Sequence, residues 1–157
     1  MDKIFFTKIV INSLVAYRNV RDVLRYVHQL RIKNSSLKII YNVHDFFLIC
    51  PNCNLVDSND KFCGFTTDHD CLSCINFYKS KQPDYENHLF YGEYDNPSQW
   101  RSMWQKFLLE DAEEVVCFSK SSCELVSRFY PNISAKLRLI PHFVRPLRSV
   151  NVAPQNC

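Results

Sequence analysis

The residues of this chain best suited to chemistry are cysteines that follow a histidine–aspartate pair. Five of the eight cysteines fall between positions 50 and 74, shortly after His44-Asp45. They are Cys50, Cys53, Cys63, Cys71 and Cys74. The two CxxC pairs, 50/53 and 71/74, are separated by 17 residues, a spacing typical of four-thiolate zinc sites. One Zn²⁺ bound by four thiolates can order a loop that is too small to form its own core. The sequence therefore predicts a zinc site.

The spacing alone leaves the choice of zinc ligands open. Five thiols compete for the four positions of a tetrahedral ion. The first possible set is the two CxxC pairs, and the second replaces Cys53 with Cys63, while His69 offers an imidazole to either set. A site closed by four protein ligands has no position for water, so it would be structural rather than catalytic. Thiol redox chemistry at Cys50 is disfavoured, because a second CxxC pair and a fifth thiol accompany it.

Composition limits the remaining function classes. The chain has 157 residues, of which 46% are hydrophobic, and this suffices for one domain with a buried core. A net charge of +3 without a dense Lys/Arg block argues against a nucleic-acid partner, while it is compatible with peripheral membrane contact. Only two glycines occur, and the sequence contains no glycine-rich phosphate loop.

The N-terminal residues do not read as a targeting segment. They include Lys3 and Lys8 and lack an uninterrupted apolar stretch followed by a small-residue cleavage site. No segment approaches the ~18 uncharged apolar residues of a transmembrane helix. We therefore expect a cytoplasmic protein that at most contacts the inner face of the membrane. In a reducing compartment clustered cysteines favour metal binding over the alternative, a secreted disulfide framework.

Hydrophobic patterns predict strands and helices that alternate around the cysteine-rich segment. Apolar, β-branched runs predict strands at 4–15, 37–43, 114–119 and 137–140. Helical periodicity predicts helices at 19–32, from an N-cap at Ser98 through Leu108, and from Ser121 or Ser122 to Tyr130. The first strand, helix and strand form a βαβ unit, which requires parallel strands. The sequence therefore predicts an α/β fold: a Rossmann-like, open, mostly parallel sheet with helices on both faces and a Cys-rich loop inserted at 46–96.

Polar side chains follow three of these strands at the point where each strand ends. They are His44-Asp45, Ser119 and His142. In open α/β sheets ligands bind beyond the carboxyl ends of the strands. The imidazole of His44 can bind a sugar hydroxyl, a phosphate oxygen or the local backbone. Asp45 can orient that ring, bind a hydroxyl itself or cap the next turn. These residues are therefore the candidate site.

Two groups of aromatic residues remain. Trp100, Trp104 and Phe107 share one helical face, which we interpret as core packing. The second group lies in the inserted segment, where it either stacks on a glycan or packs the loop; it comprises Tyr78, Tyr85, Phe90, Tyr91 and Tyr94.

Five segments, taken in order, resemble a bacterial subgroup of the family 4 glycosyltransferases. They are HDFFLICPNCNL, DKFC, CLSC, WRSMWQKFLLEDAEEVVCFSKSSCELVSRFYP and LRLIPHFV. The resemblance extends from about Ile9 to Val144. It implies half of a GT-B fold, in which two Rossmann-like domains enclose the active site. Such enzymes transfer a sugar from a nucleotide sugar to a glycan or lipid-linked acceptor in bacterial surface polysaccharide synthesis.

The resemblance assigns roles to individual residues. His44 matches a strand-end histidine that faces the cleft near the donor sugar, and Asp45 belongs to the same motif, so both are catalytic candidates. Ser119 and His142 match strand ends on the substrate side. The cysteine pattern of the family falls on Cys50, Cys63, Cys71 and Cys74, which favours the second ligand set and leaves Cys53 as the alternative ligand.

The resemblance also implies a domain organisation. Residues 1–144 correspond to part of the N-terminal, acceptor-side domain, 46–96 to its zinc-binding insertion, and 145–157 to a linker. The opening strand and glycine loop of the family, and its donor-binding domain, have no counterpart in this sequence. We therefore expect no transfer by this chain alone, and expect a separate donor-binding chain or segment to bind the nucleotide sugar. The alternative is a non-catalytic, zinc-stabilised module that binds a glycan or a protein.

Overall fold

The computed structural model describes residues 6–15, 17, 19–63, 70–81 and 96–143. Its four strands form one parallel sheet in the order β1-β2-β3-β4. The strands are β1 Lys8–Ile11, β2 Lys38–Val43, β3 Glu114–Cys117 and β4 Leu137–Leu139. The helices are α1 Val20–Lys33, α2 Cys71–Lys81, α3 Pro97–Glu110 and α4 Lys120–Phe129, and a 3-10 helix spans Pro131–Lys136. The predicted α/β fold with a parallel sheet is confirmed.

Two helices begin earlier than the sequence predicted. Asn96, not Ser98, caps α3, and its side chain accepts a hydrogen bond of 2.8 Å from the backbone N–H of Ser98. Pro97 suits the first helical position because its fixed φ is helical and it has no N–H to satisfy there. Ser119, not Ser121 or Ser122, caps α4 by accepting a hydrogen bond of 3.1 Å from the N–H of Ser122.

Helix α2 was not predicted at all. Its sequence, CLSCINFYKSK, has no strong apolar stripe, so periodicity gives no signal. The helix begins next to Asp70, whose carboxylate accepts hydrogen bonds from the N–H (3.0 Å) and the hydroxyl (2.6 Å) of Ser73. Such side-chain capping is a local start signal that can be read from the sequence. Other parts of the 46–96 insertion, and the 145–157 tail, lie outside the described residues.

The core lies between β2 and the aromatic face of α3. Tyr41 of β2 contacts Trp104 edge-to-face, with ring centroids 5.2 Å apart. Trp100 is equally buried, and its indole N–H donates a hydrogen bond of 2.7 Å to the carbonyl of Phe47. Phe107 is buried on the same face. The prediction that this face packs in the core is confirmed.

The described helices α1, α3 and α4 pack on a single face of the sheet. Side chains alternate along a strand, and in β2 the buried positions are Ile39, Tyr41 and Val43. These three belong to one core cluster with residues of α1, α3 and α4. Strands that follow each other in space as in sequence, joined by right-handed crossovers, place their helices on one side. The expectation of helices on both faces is therefore not met within the described residues.

The C-terminal end of α3 is tied to two other elements. The Lys136 ammonium donates hydrogen bonds to the carbonyls of Leu108 (3.0 Å), Leu109 (2.5 Å) and Ala112 (2.7 Å). Asp111, which is almost fully buried, lies 2.7 Å from Nδ1 of His28 in α1. The last turn of a helix leaves carbonyls without intrahelical partners, and a cation there also interacts favourably with the negative end of the helix dipole.

We expect Lys136→Met to lower the free energy of unfolding by ~1–3 kcal/mol, because three carbonyls lose their charged donor. Burial lowers the pKa of this lysine, which offsets part of the gain from those hydrogen bonds. Urea unfolding followed by circular dichroism measures the change. Lys120→Met is the matched control, since that side chain is 84% exposed and its nearest carboxylate is 3.8 Å away. Equal losses in both variants would contradict the assignment.

Within the described residues, no helix combines the length and the apolar character needed to cross a membrane.

Candidate functional site

Three aromatic rings stack where neighbouring strands end. His44 follows β2, Phe118 follows β3, and His142 lies three residues beyond β4. The ring centroids of Phe118 and His142 are 4.0 Å apart and nearly parallel, at 13°. His44 lies 4.7 Å from Phe118 and 5.9 Å from His142. The structure thus brings together two predicted site residues, which are 98 positions apart in the sequence.

Phe118 was not predicted as a site residue from the sequence. It directly follows β3, in which Cys117 is paired with Val43 of β2, so Phe118 is level with His44. Given parallel strands, this register alone would have predicted that Phe118 lies beside His44. The two histidines are exposed and Phe118 is partly exposed. The stack, which we call the aromatic trio, therefore presents ring surface and imidazole nitrogens to solvent.

Asp45 is engaged in the framework beneath the aromatic trio. Its Oδ2 accepts a hydrogen bond of 2.6 Å from the hydroxyl of Ser13, which follows β1. Its Oδ1 accepts a hydrogen bond of 2.9 Å from the N–H of Phe47. The carboxylate thus joins the segments that follow two adjacent strands and caps the turn after His44. A catalytic role for Asp45 stays a prediction, and Ser13 is a positioning residue that was not predicted from the sequence.

Ser119 adjoins the aromatic trio through Phe118, its neighbour in sequence. Its hydroxyl caps α4 and lies 3.0 Å from Oγ of Ser121 and 2.7 Å from Oγ of Ser122. All hydroxyls of this group are near the surface. Because Ser119 already serves the helix start, its predicted substrate contact would have to share that hydroxyl.

The five clustered cysteines are all described, and all five are reduced thiols. Burial raises the pKa of Cys50 to about 12, with smaller increases from Cys63 and Cys71 and a decrease from Arg101. Burial also raises the pKa of Cys74, and Cys63 and Cys71 add to that shift. Electrostatic interactions therefore connect Cys50, Cys63, Cys71 and Cys74. For Cys53 the pKa is raised by burial and then by Asp45.

The donor chemistry of these four thiols suits zinc, but their arrangement is not that of a closed site. Within the described ranges, which omit His69, no three His, Cys, Asp or Glu side chains are grouped so as to hold a metal ion. The thiols would have to converge on binding. Because burial raises the pKa of Cys50 and of Cys74, a bound cation would favour the ionised form of these two thiols.

Arg101 is a fixed positive charge beside the thiols that was not predicted from the sequence. Its Nη2 donates a hydrogen bond of 3.2 Å to Sγ of Cys71, the first residue of α2. Its Nε donates to the carbonyl of Ile49 at 3.1 Å, and its guanidinium carbon lies 5.1 Å from the centre of the Phe129 ring. This side chain therefore connects the cysteine segment to both α3 and α4.

Of the five aromatic residues grouped above as a glycan-stacking or loop-packing set, Tyr78 is the one that lies within the described residues. Its hydroxyl donates to the carbonyls of Val56 (3.2 Å) and Asp57 (2.7 Å), so it packs the loop. Tyr85, Phe90, Tyr91 and Tyr94 lie outside the described residues.

Compared with known proteins, the chain matches no family model, no curated protein and no solved structure.

Proposed function

We propose that this chain is the acceptor-side half of a GT-B-type sugar transferase, similar to family 4 glycosyltransferases. The observation that carries the proposal is the aromatic trio, which spans the ends of three adjacent parallel strands. This edge is where open α/β sheets bind their ligands. The acceptor is a glycan or a lipid-linked sugar that contacts this edge.

The chemistry of the aromatic trio suits a sugar. Stacked rings offer an apolar surface to the C–H face of a pyranose, and aromatic side chains with polar tips combine such contact with hydrogen bonding. Each imidazole carries one donor and one acceptor nitrogen in its neutral form. In this proposal His44 acts next to the transferred sugar, His142 and Ser119 bind the acceptor, and Asp45 fixes the turn that bears His44.

Nucleotide-sugar binding belongs, in this proposal, to a second domain supplied by another chain or segment. The leaving diphosphate needs positive charge or backbone donors to stabilise it. This sequence has no glycine-rich phosphate loop, and the aromatic trio contains no permanently charged group. The proposed zinc ion, held by Cys50, Cys63, Cys71 and Cys74, would supply only structural support to the inserted segment beside this edge.

Glycan binding by the purified chain tests the proposal. A glycan array of bacterial surface oligosaccharides, followed by titration of the best ligand, should show binding that His44→Ala and His142→Ala each weaken about tenfold or more. A lost ring contact or hydrogen bond of ~1.4 kcal/mol corresponds to that factor. Tyr26→Ala is the control, because this ring is 61% exposed on α1. Absence of any glycan ligand, or an equal loss in Tyr26→Ala, would contradict the proposal.

One observation favours a second candidate, a glycan-binding module without catalysis. Asp45 bonds to Ser13 and to the Phe47 N–H, and those bonds occupy both of its carboxylate oxygens. An imidazole that acts as a general base is usually oriented by a carboxylate. Because Asp45 uses both oxygens in these two bonds, they serve the turn and not the His44 ring. The two candidates differ in sugar transfer: supplied with a donor-binding partner, a transferase turns over and His44→Gln stops it, whereas a binding module shows no turnover.

A further inference from the structure

One face of the sheet carries an apolar stripe that is outside the core. Register places Val10 of β1 beside Ile40 of β2, and Asn42 beside Val116 of β3. These side chains point away from the face that bears Tyr41, because strand residues alternate. Val10, Ile40 and Val116 are absent from the core cluster, and Val10 is 47% exposed. We call this surface, from Lys8 to Val116, the open face.

Charged residues border the stripe. Lys8 and Lys38 are register partners at its amino end, and Arg138 lies beside Val116. The one acidic side chain of the strands on this face is Glu114, the partner of Ile40. At the other end the amide of Asn42 donates a hydrogen bond of 2.8 Å to the side-chain oxygen of Asn12. The open face is thus apolar along its middle and positive at its border.

Parallel sheets occur almost only with both faces covered, since their strands are too apolar for one face to meet water. Within the described residues, α1, α3 and α4 contribute to the core cluster on the other face. The open face therefore has the composition of a surface that normally packs against helices, without a described helix on it.

We propose that the open face docks an amphipathic α-helix of a partner protein, with acidic residues flanking its apolar stripe. The apolar side of the helix would lie along Val10, Ile40 and Val116, and its acidic flank near Lys8 and Lys38. The stripe crosses three adjacent strands that lie ~4.8 Å apart, so it is ~10 Å long and matches about two helical turns. This inference does not depend on sugar binding by the aromatic trio.

Charge and shape favour such a helix over other occupants. An acidic helix complements the basic border formed by Lys8, Lys38 and Arg138, whereas a second copy of this chain presents the same basic border. Val10 is 47% exposed whereas Val116 is only 6% exposed, so a helix would contact the β1 part of the stripe most fully. A ridge of helix side chains can pack between the side chains of such a stripe, whereas a flat lipid surface reaches mainly its exposed border.

Nuclear magnetic resonance with the full-length, ¹⁵N-labelled chain tests the proposal. The probes are two amphipathic peptides of about 14 residues with the same leucine stripe, one flanked by glutamate and one by lysine. We expect the glutamate peptide to shift the amide signals of β1, β2 and β3, and to bind at least about tenfold more tightly than the lysine peptide. Salt at about 0.5 M should weaken the binding of the glutamate peptide, since exposed charges are screened.

Two variants make the result specific. Val10→Glu places a repelling charge in the stripe and should weaken the glutamate peptide about tenfold or more. Ile32→Glu is the matched control, because Ile32 is exposed on α1. Equal binding of both peptides, or shifts confined to α1 and α3, would overturn the proposal. Self-association of the chain that Val10→Glu abolishes would also overturn the proposal, because it identifies a second copy as the occupant. Co-sedimentation with phosphatidylglycerol vesicles that Val10→Glu abolishes would overturn it as well, because it identifies a lipid surface as the occupant.

Discussion

Cys71→Ser should remove a zinc ion that the freshly purified, reduced chain binds at about one equivalent. Cys71 has electrostatic interactions with both Cys50 and Cys74 and begins α2, so its loss takes away a ligand and the start of the helix together. Structural zinc contributes folding free energy directly, ~10–16 kcal/mol of apparent binding in zinc-finger peptides. Metal analysis by mass spectrometry measures the content, and hydrogen exchange should show that α2 loses protection.

Single-cysteine controls decide which thiols bind the ion. Cys123→Ser changes a thiol of α4 and should keep the zinc. Cys53→Ser should also keep it if the ligands are Cys50, Cys63, Cys71 and Cys74, and should lose it if the two CxxC pairs bind. Freshly purified, reduced wild-type protein that contains no zinc would disprove the metal site, while leaving the glycan and helix-docking proposals to their own tests.

Trp100→Ala should be the most destabilising core substitution, at ~3–5 kcal/mol. The ring is completely buried, contacts Phe47 at 4.8 Å between centroids, and donates its N–H to the Phe47 carbonyl. Both a cavity and an unsatisfied carbonyl remain after truncation. Urea unfolding followed by far-ultraviolet circular dichroism gives the change in the free energy of unfolding.

A matched pair of phenylalanine variants separates the hydrogen bond from the volume. The indole Nε1 of Trp104 is the one buried side-chain polar atom without a partner among the described residues. Trp100→Phe and Trp104→Phe remove similar volume, but only the first breaks a hydrogen bond. We expect Trp100→Phe to cost ~1–3 kcal/mol more. Equal losses would mean that the bond to Phe47 contributes no net stability.

The sequence predicted the parts of the fold that repeat a hydrophobic period. β2 and α1 were placed within two residues because their apolar positions follow periods of two and 3.6. β1 was predicted at 4–15 but spans Lys8–Ile11, since an apolar run does not show where pairing stops. Helix α2 was missed because its hydrophobic residues form no stripe.

The sequence predicted only those site residues that follow a single apolar strand. His44 and His142 each follow an apolar strand, so both could be named from the sequence, and the structure places their rings together. Arg101 and Ser13 act across 30 and 32 positions of sequence, on Cys71 and Asp45 respectively. Such contacts depend on how the elements pack, and the local pattern around either residue gives no sign of them.

Both tryptophans of the chain lie in α3, with ring centroids 6.2 Å apart. Their intrinsic fluorescence therefore reports on one place, the packing of α3 against β2 and the turn at Phe47. Indoles in an apolar, water-free environment emit at shorter wavelengths, and both shift to the red together when this core opens. Fluorescence is thus a specific optical signal for the core, and comparison with zinc content during unfolding reveals whether the cysteine segment separates first.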